Sequence, residues 1–576
     1  MPFKLTTIAR FRLYSPSGGW GALIFKPTTI AKFRLYSPSG GWRALLSKST
    51  TITRFRLYSP FGGWGALLSK PMTITRFRLY SPSGGWGALI FFFCLLVCQN
   101  LQGRSFFPTD SAADYYEVEN IALPDGLVAE TGAIGFFPDG RFVACFHRGE
   151  VMVYNPKTKK WMLFAEGLHD PLGVLVVNNH EILVMQRPEL TRIKDTNQDG
   201  QADEYQTVTD DFGLSGNYHE FNFGPVADRN GDLYIALNLA SNGAGIRNEI
   251  RGTYDSLSRP GRMYACVPYR GWVMKLGKDG KLKPFAVGFR SPNGLGFDAQ
   301  NRLYVSDNQG DWLGTSKLYQ VEEGKFYGHP AGLIWKEDFP RVVPIKMPVE
   351  KLDSMRTKEA VQFPHGYFAN SPTQPLLDNT EGKFGMFAGQ MLIGDMDHKY
   401  VIRLLMENIG GAMQGACVPL AFGNKMRIGN NRLAFAPDGS LWVGQNDHGW
   451  VGARGIQRIK WKGKPHLDVM SMNLTKTGFK LRFSMPIKPE EAAQLSNYKF
   501  RRFYYEYHQA YGSKQFDVQD VITKNISLSA DGKEVTIELS EMKAGYVYEL
   551  KLGELHANDG KMLLNTLLCY SLNKLL

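Results

Sequence analysis

The chain has 576 residues, 43% of them hydrophobic and 21% charged, with a formal net charge of +13. The excess is confined to one end: no Asp or Glu precedes Asp110, whereas fourteen Lys and Arg do, which leaves 53 basic residues against 54 acidic ones in the remainder. A body this close to neutral, with no basic stripe, excludes nucleic acid as the expected partner.

Four copies of one segment open the chain: FRLYSPSGGW at Phe11 and Phe33, FRLYSPFGGW at Phe55 and FRLYSPSGGW again at Phe77, each 22 residues from the last. The copies lack the apolar periodicity needed to bury a core together, so residues 1–71 are expected to be disordered or to lie upstream of the true start. A basic membrane-binding arm is the functional alternative. Residues 72–104 read as a signal peptide, because Arg76 and Arg78 precede the apolar run Ala88–Cys98 and a polar QNLQG follows it. That run is eleven residues long, and a bilayer-spanning helix takes about 20. The expectation is export to a periplasmic or extracellular location, with no transmembrane span in the mature chain and N-terminal membrane anchoring as a minority option. Cysteines at 94, 98, 145, 266, 417 and 569 include no CxxC, which excludes a zinc ribbon and a covalently attached c-type haem, and their spacing specifies no disulfide pairing.

From about residue 130, turns rich in Asp, Asn and Gly alternate with apolar-polar runs: FFPDGRFVACF, VVNNHEILVMQ, ADRNGDLYIALN, FDAQNRLYVSDN, FAGQMLIGD and FAPDGSLWVGQN. Turn residues supply positive φ, and the alternation gives strands with one buried face. Six such units without helical periodicity predict an all-β fold, a six-bladed β-propeller over residues 110–462, with a double-sheet sandwich as the alternative. Past Gly463, VMSMNLTKTGFKLRFSMPI, ISLSADGKEVTIELSEM and AGYVYELKLGELHANDGKML are strands joined by short turns. These predict an immunoglobulin-like β-sandwich over 463–576, in which chemistry is not expected.

Asp195, Asn197, Asp199, Gln201 and Asp203 follow the spacing DxNxDGxxD with Gly200 at the sharp turn, a pattern that wraps calcium in oxygen ligands. Gln206 stands where an EF-hand has its bidentate glutamate, so the expected role is structural; an exposed turn without an ion is the alternative. His365 in PHGYFANSP and His448 in QNDHGW sit in glycine-containing turns where ligand contact or simple backbone support are both open, the second being preferred for His448. Trp272, Trp312, Trp335 and Trp450 could stack on a sugar, although core packing is the expected role for each. No GxSxG, HExxH or P-loop is present, so serine hydrolase, zincin and NTPase readings have no support.

The strings NYHEFNFGPVADRNGDLYIALN, GFRSPNGLGFDAQNRLYVSDNQGDW and GKFYGHP resemble the glucose/sorbosone dehydrogenase family, six-bladed propellers that bind pyrroloquinoline quinone (PQQ) and calcium. PHGYFANSP and GQMLIGD resemble most closely a bacterial branch described as membrane-bound dehydrogenase-like. The resemblance implies an oxidoreductase acting on a sugar, aldehyde or alcohol, a carbohydrate or polyol substrate, and an external cytochrome or quinone as electron acceptor. It implies His219 as the general base, which suits an imidazole of ordinary pKa near 6.5, and Arg290 as the stabiliser of developing negative charge. Asn293, Asn308, His365 and Lys399 are the implied cofactor contacts, and Gln309, Gly310 and Asp311, with Tyr327 nearby, fall where the family places calcium. The chain departs from the family pattern at Tyr218, where an acidic residue is expected before the base. It departs again at Asn430 and Asn431, which replace paired arginines, with Arg432 one position out of register. That second departure keeps two alternatives open: a non-catalytic carbohydrate- or protein-binding propeller, and a calcium-dependent lactonase-like hydrolase.

Overall fold

In the computed structural model, each of the six strand-turn units supplies the second strand of an antiparallel sheet and the turn that leads into it. The structure describes residues 112–243, 250–448 and 451–576, together with short strands before residue 81; the apolar run of the expected leader and Trp450 lie outside the described residues. The chain divides into two compact units, residues 1–104 and 105–576. In the first, the four FRLY segments pair as parallel strands with like residues opposite one another. Among the described residues, no helix is long and apolar enough to cross a membrane.

The second unit is nearly all-β. Sheet one comprises Thr131–Phe136, Phe142–Phe146, Val151–Asn155 and Lys160–Ala165. Sheet two comprises Gly173–Asn178, Glu181–Met185, Leu190–Lys194 and Glu204–Thr209. Sheet three holds Asn222–Ala227, Leu233–Leu237, Trp272–Leu276 and Leu282–Val287, and sheet four Pro292–Phe297, Leu303–Asp307, Ser316–Val321 and Val361–Phe363. Sheet five begins with Pro372–Leu377 and Met391–Asp395 and continues through two ten-residue strands, Tyr400–Ile409 and Ala412–Ala421. Sheet six contains Asn430–Phe435, Leu441–Gln445 and Gly455–Trp461, and its fourth strand is Tyr116–Asn120 from the start of the unit. The first strands of successive sheets lie against one another in a closed cycle, from sheet one round to sheet six and back.

The turn chemistry acts as the sequence predicts: Gly140, Gly231 and Gly439 take φ of +90°, +85° and +83°, and Asn301 takes +63° at the equivalent turn. Second strands such as Phe142–Phe146, Leu303–Asp307 and Leu441–Gln445 are buried along their whole length, because each is covered by a sheet on both sides. Where neighbouring first strands meet, a side chain would not fit: a Cβ on Gly173 would stand 1.3 Å from the Gly224 carbonyl oxygen.

The C-terminal strands do not stand apart. Val469–Leu474, Gly478–Phe483, Glu534–Leu539 and Thr523–Leu528 form one sheet. The strands Leu567–Leu572, Tyr546–Leu552, Tyr498–Tyr505 and Gln515–Val521 extend sheet five to eight strands through the pairing of Ala416 with Tyr570 and of Cys417 with Cys569. The shared core joins Leu405, Ile409 and Val418 to Phe479, Phe500 and Tyr548. A fully buried ion pair, Arg403 to Asp468 at 2.7 Å, crosses the same junction.

Candidate active site

Register fixes which end of the cycle carries the chemistry. Thr131 pairs with Phe146, Gly173 with Met185, Asn222 with Leu237, Pro292 with Asp307, Pro372 with Asp395 and Asn430 with Gln445. The segments just before each first strand and just after each second strand therefore gather at one end. His219, Arg290, Asn308, His365 and Lys399 all belong to these segments.

Two buried side chains shape the turn that presents His219. Asn217 accepts from the backbone N–H groups of His219 and Ser241, both at 3.0 Å, and the Glu220 carboxylate accepts from the Ser215 N–H and hydroxyl at 2.8 and 2.6 Å. The Arg187 guanidinium donates to the carbonyls of Asn217 and Tyr218 and, through two nitrogens, to Asp170 at 2.9 and 2.6 Å, tying this turn to sheet two. His219 Nδ1 lies 2.8 Å from the Leu239 carbonyl oxygen. A carbonyl only accepts, so Nδ1 carries the proton and Nε2 keeps its lone pair. Nε2 has no hydrogen-bond partner among the described residues. Burial, and then the nearby Arg290 charge, push the imidazole pKa down to about 4, so the ring is neutral at physiological pH.

Arg290 is held from two sides. Its N–H and that of Ser291 donate to the two oxygens of buried Asp307, at 2.8 and 2.7 Å, and burial lifts the Asp307 pKa to about 6 despite these bonds. Its Nε donates to Asp311 at 2.9 Å, and the other Asp311 oxygen meets His329 Nε2 at 3.1 Å. Burial opposes the Asp311 charge, but the adjoining His329 and Arg290 outweigh it and hold the carboxyl well below its ordinary range. The two terminal amino groups of Arg290 have no hydrogen-bond partner among the described residues.

Other expected residues have varied surroundings. Asn308 Nδ2 donates to the Ser371 hydroxyl at 3.1 Å while its buried Oδ1 is unpartnered. His365 and Lys399 are exposed residues, and partial burial of the His365 ring lowers its pKa. Asn293 is engaged below this face, where its carbonyl and side-chain oxygens accept from Arg432 at 3.3 and 3.2 Å.

The donor set at 309–311 does not fit calcium. Asp311 Oδ1 accepts from the Arg290 guanidinium and Oδ2 from the His329 imidazole and the Met263 N–H, the Gly310 carbonyl accepts from Gly512, and Gln309 donates to the Gly314 carbonyl. Gly310 is there for space, since a Cβ would fall 1.8 Å from Arg290 Nε. In the 195–203 loop, the Asp195 oxygens accept from the N–H groups of Asp199 and Gly200, Asn197 also accepts from Asp199, Asp199 accepts from Gln201, and Asp203 binds Thr196 and Asn197. These side chains close the turn on itself, and their carboxylates are not among those that converge.

Among the described residues, one trio of possible ligands lies close together: His147, Asp170 and His448. The two imidazoles stack with centroids 4.2 Å apart and planes 17° from parallel. An imidazole lone pair lies in its ring plane, so rings stacked face to face cannot both aim at one ion. The cluster instead joins His147 to Asp170 at 3.3 Å and His448 to Glu130 at 3.0 Å. Sequence reasoning missed Asp170, Arg187 and Asp307, whose partners are distant in the chain. It also missed Tyr511, a C-terminal residue whose ring lies 5.4 Å from the Arg290 guanidinium carbon.

No curated protein matches the chain. Three solved structures show a likeness: the PQQ-bound form of aldose sugar dehydrogenase from Streptomyces coelicolor, at 14% identity, 60% of this chain, 98% of that one and a TM-score of 0.41; the holo form of the pyranose dehydrogenase PQQ domain from Coprinopsis cinerea, at 13%, 60%, 95% and 0.41; and an iodide structure of a Trichoderma reesei Carbohydrate-Active Enzymes Family AA12 protein, at 12%, 63%, 100% and 0.42. At such TM-scores the likeness carries no argument about activity. A family description matches residues 156–445, half of the sequence, and the chain belongs to that family, Domain of unknown function (DUF7133).

Proposed function

We propose that residues 110–462 are a six-bladed propeller, that 463–576 are an immunoglobulin-like sandwich joined to its fifth blade, and that the protein is an exported oxidoreductase of carbohydrate or polyol hydroxyl groups. One observation carries the activity: the Nε2 lone pair of His219 and the nearby amino groups of Arg290 have no hydrogen-bond partner among the described residues. In the oxidation of a CH–OH group to a carbonyl, His219 Nε2 takes the hydroxyl proton. Arg290 donates hydrogen bonds to the oxygen atoms on which negative charge grows. Arg187 and Asn217 hold the base in place, and Asp311 fixes the direction of the guanidinium.

A quinone of the PQQ type, when bound, supplies the acceptor for the hydride. The residues present fit such a group in part: the Arg290 amino groups and the Lys399 ammonium are available to its carboxylates and carbonyls, and Asn308 Oδ1, which has no partner among the described residues, can accept only from its ring N–H. Calcium is not part of this site. A second reading, a propeller that binds carbohydrate without turning it over, is favoured by one observation: Arg432 is drawn towards the neighbouring sheets, and Asn430 and Asn431 serve backbone groups.

The test is titration of the protein with PQQ, followed by absorbance and by dye reduction over a sugar panel. Saturable binding with sugar-dependent reduction that His219→Ala abolishes without unfolding supports the dehydrogenase. Turnover that survives in His219→Ala refutes the assignment of the base, and sugar binding without quinone binding selects the second reading.

A further inference from the structure

The C-terminal strands reach the candidate site. The loop between Tyr498–Tyr505 and Gln515–Val521 is pinned at four points: Gly512 N–H donates to the Gly310 carbonyl at 2.9 Å, Ser513 N–H to Gly314 at 2.8 Å, the Tyr507 hydroxyl to Gly328 at 2.5 Å, and residues 311 and 511 form an isolated antiparallel bridge. Trp312 packs on Tyr507 with centroids 5.5 Å apart. A loop tied this way has a fixed tip, and Tyr511 stands at it, 49% exposed.

Two guanidinium groups face the Tyr511 ring, that of Arg262 with its carbon 4.6 Å from the centroid and that of Arg290 at 5.4 Å. Arg262 comes from the long connection between the second and third strands of sheet three. Its guanidinium is exposed and forms neither an ion pair nor a hydrogen bond among the described residues. Arg290 has Asp311 on its Nε edge, and its amino groups are unpartnered. Two cations with open donor edges are thus held against one aromatic ring, and one of them, Arg290, is close enough to the neutral imidazole assigned as the base to depress its pKa.

We infer that Arg262, Tyr511 and Arg290 form a carboxylate-binding wall of the site, and that its substrate is an acidic sugar, a uronic or aldonic acid. The inference rests on the dehydrogenase reading for what happens to that substrate, but not for its binding. A guanidinium presents paired donors that match a carboxylate, and this charge-assisted geometry distinguishes an acidic from a neutral sugar. The Tyr511 ring offers the apolar surface on which the sugar ring lies. The module with no expected chemistry thereby contributes to specificity.

The experiment is calorimetric titration of the full chain with D-glucuronate and with D-glucose, at low and at raised salt. Glucuronate is expected to bind at least tenfold more tightly than glucose, with the preference shrinking as salt rises. Arg262→Gln, a change at an exposed residue, removes that preference. Tyr511→Ala weakens both sugars and Tyr511→Phe restores them. Equal affinity for the two sugars, an unchanged preference in Arg262→Gln, or no binding of either overturns the inference. A parallel absorbance titration with PQQ separates the two readings: quinone binding without a glucuronate preference sinks this inference alone, and glucuronate binding without quinone binding or dye reduction sinks the dehydrogenase alone.

Discussion

His219→Gln tests whether the base is kept neutral by its surroundings. The imidazole has an ordinary pKa near 6.5 and is pushed to about 4 in the folded chain, first by burial and then by Arg290, Arg270 and Arg187. A displacement of that size is worth about 3.4 kcal/mol, at about 1.4 kcal/mol per pH unit. The sign follows from proton uptake: above pH 6.5 neither state is protonated, and between 6.5 and 4 the unfolded chain binds a proton that the folded chain refuses. Stability therefore falls as pH is lowered through this window, by about 2 kcal/mol at pH 5, and the loss is complete below pH 4. Glutamine can donate to the same Leu239 carbonyl but does not titrate. Urea unfolding at pH 7 and pH 5, followed by tryptophan fluorescence, should show the wild type losing about 2 kcal/mol more than the variant across that step. Comparing the two changes removes the background of the other titrating groups, including Asp307 with its raised pKa. Equal losses, to within about 0.5 kcal/mol, would mean that His219 titrates as in water and that Nε2 is not reserved as a base.

Arg403→Met leaves Asp468 buried without its cation, and a destabilisation of about 3–5 kcal/mol is expected by chemical denaturation; a loss under 1 kcal/mol would show that the junction between sheet five and the C-terminal strands does not depend on the pair. Gly310→Ala should cut turnover at least tenfold while the far-ultraviolet circular dichroism stays unchanged, because the new methyl displaces the Arg290 guanidinium. Calcium at 1 mM, a concentration of the order that weak extracellular sites require, should leave the melting temperature unchanged, since the 195–203 carboxylates are engaged by their own backbone. A rise that Asp199→Asn abolishes would show instead that the loop re-forms around an ion.

Local chemistry made the six hairpins legible. A PDG or NGD turn followed by alternating apolar residues is complete within about eleven residues, and FFPDGRFVACF, ADRNGDLYIALN and FAPDGSLWVGQN contain nothing else. What joins the sheets is not local. Tyr116–Asn120 closes sheet six by pairing with a strand more than 330 residues later, and Ala416 meets Tyr570 across 154 residues of chain. The change of texture near Gly463 marks a change in connectivity, whereas the sheet runs through it. His219 and Arg290 were legible as residues through a family resemblance, but their electrostatics were not. DNQGDW reads as a run of oxygen ligands until His329 and Arg290, 18 and 21 residues from Asp311, occupy both of its oxygens. Tyr511 carried no signal at all, because its place beside Arg290 depends on a hairpin more than 200 residues downstream.

Arg432 shows how one residue of register alters a site. Between Asn430, opposite Gln445, and Arg432, opposite Gly444, the strand bulges at Asn431, and a bulge re-aims the side chains that follow it. Arg432 consequently reaches towards the neighbouring sheets, where it donates to the carbonyls of Leu172, Asn293 and Asn431 and to both asparagine side chains, with its guanidinium carbon 4.8 Å from the Phe223 ring centroid. Every partner is neutral. Burial lowers its pKa only to about 9, so the charge persists at pH 7 with no carboxylate to cancel it. Asn430 and Asn431 bring no charge here, and the bulge before Arg432 sets one buried cation among neutral partners. A buried cation with no carboxylate partner among the described residues suits the proposed acidic ligand, held chiefly by Arg262 and Arg290.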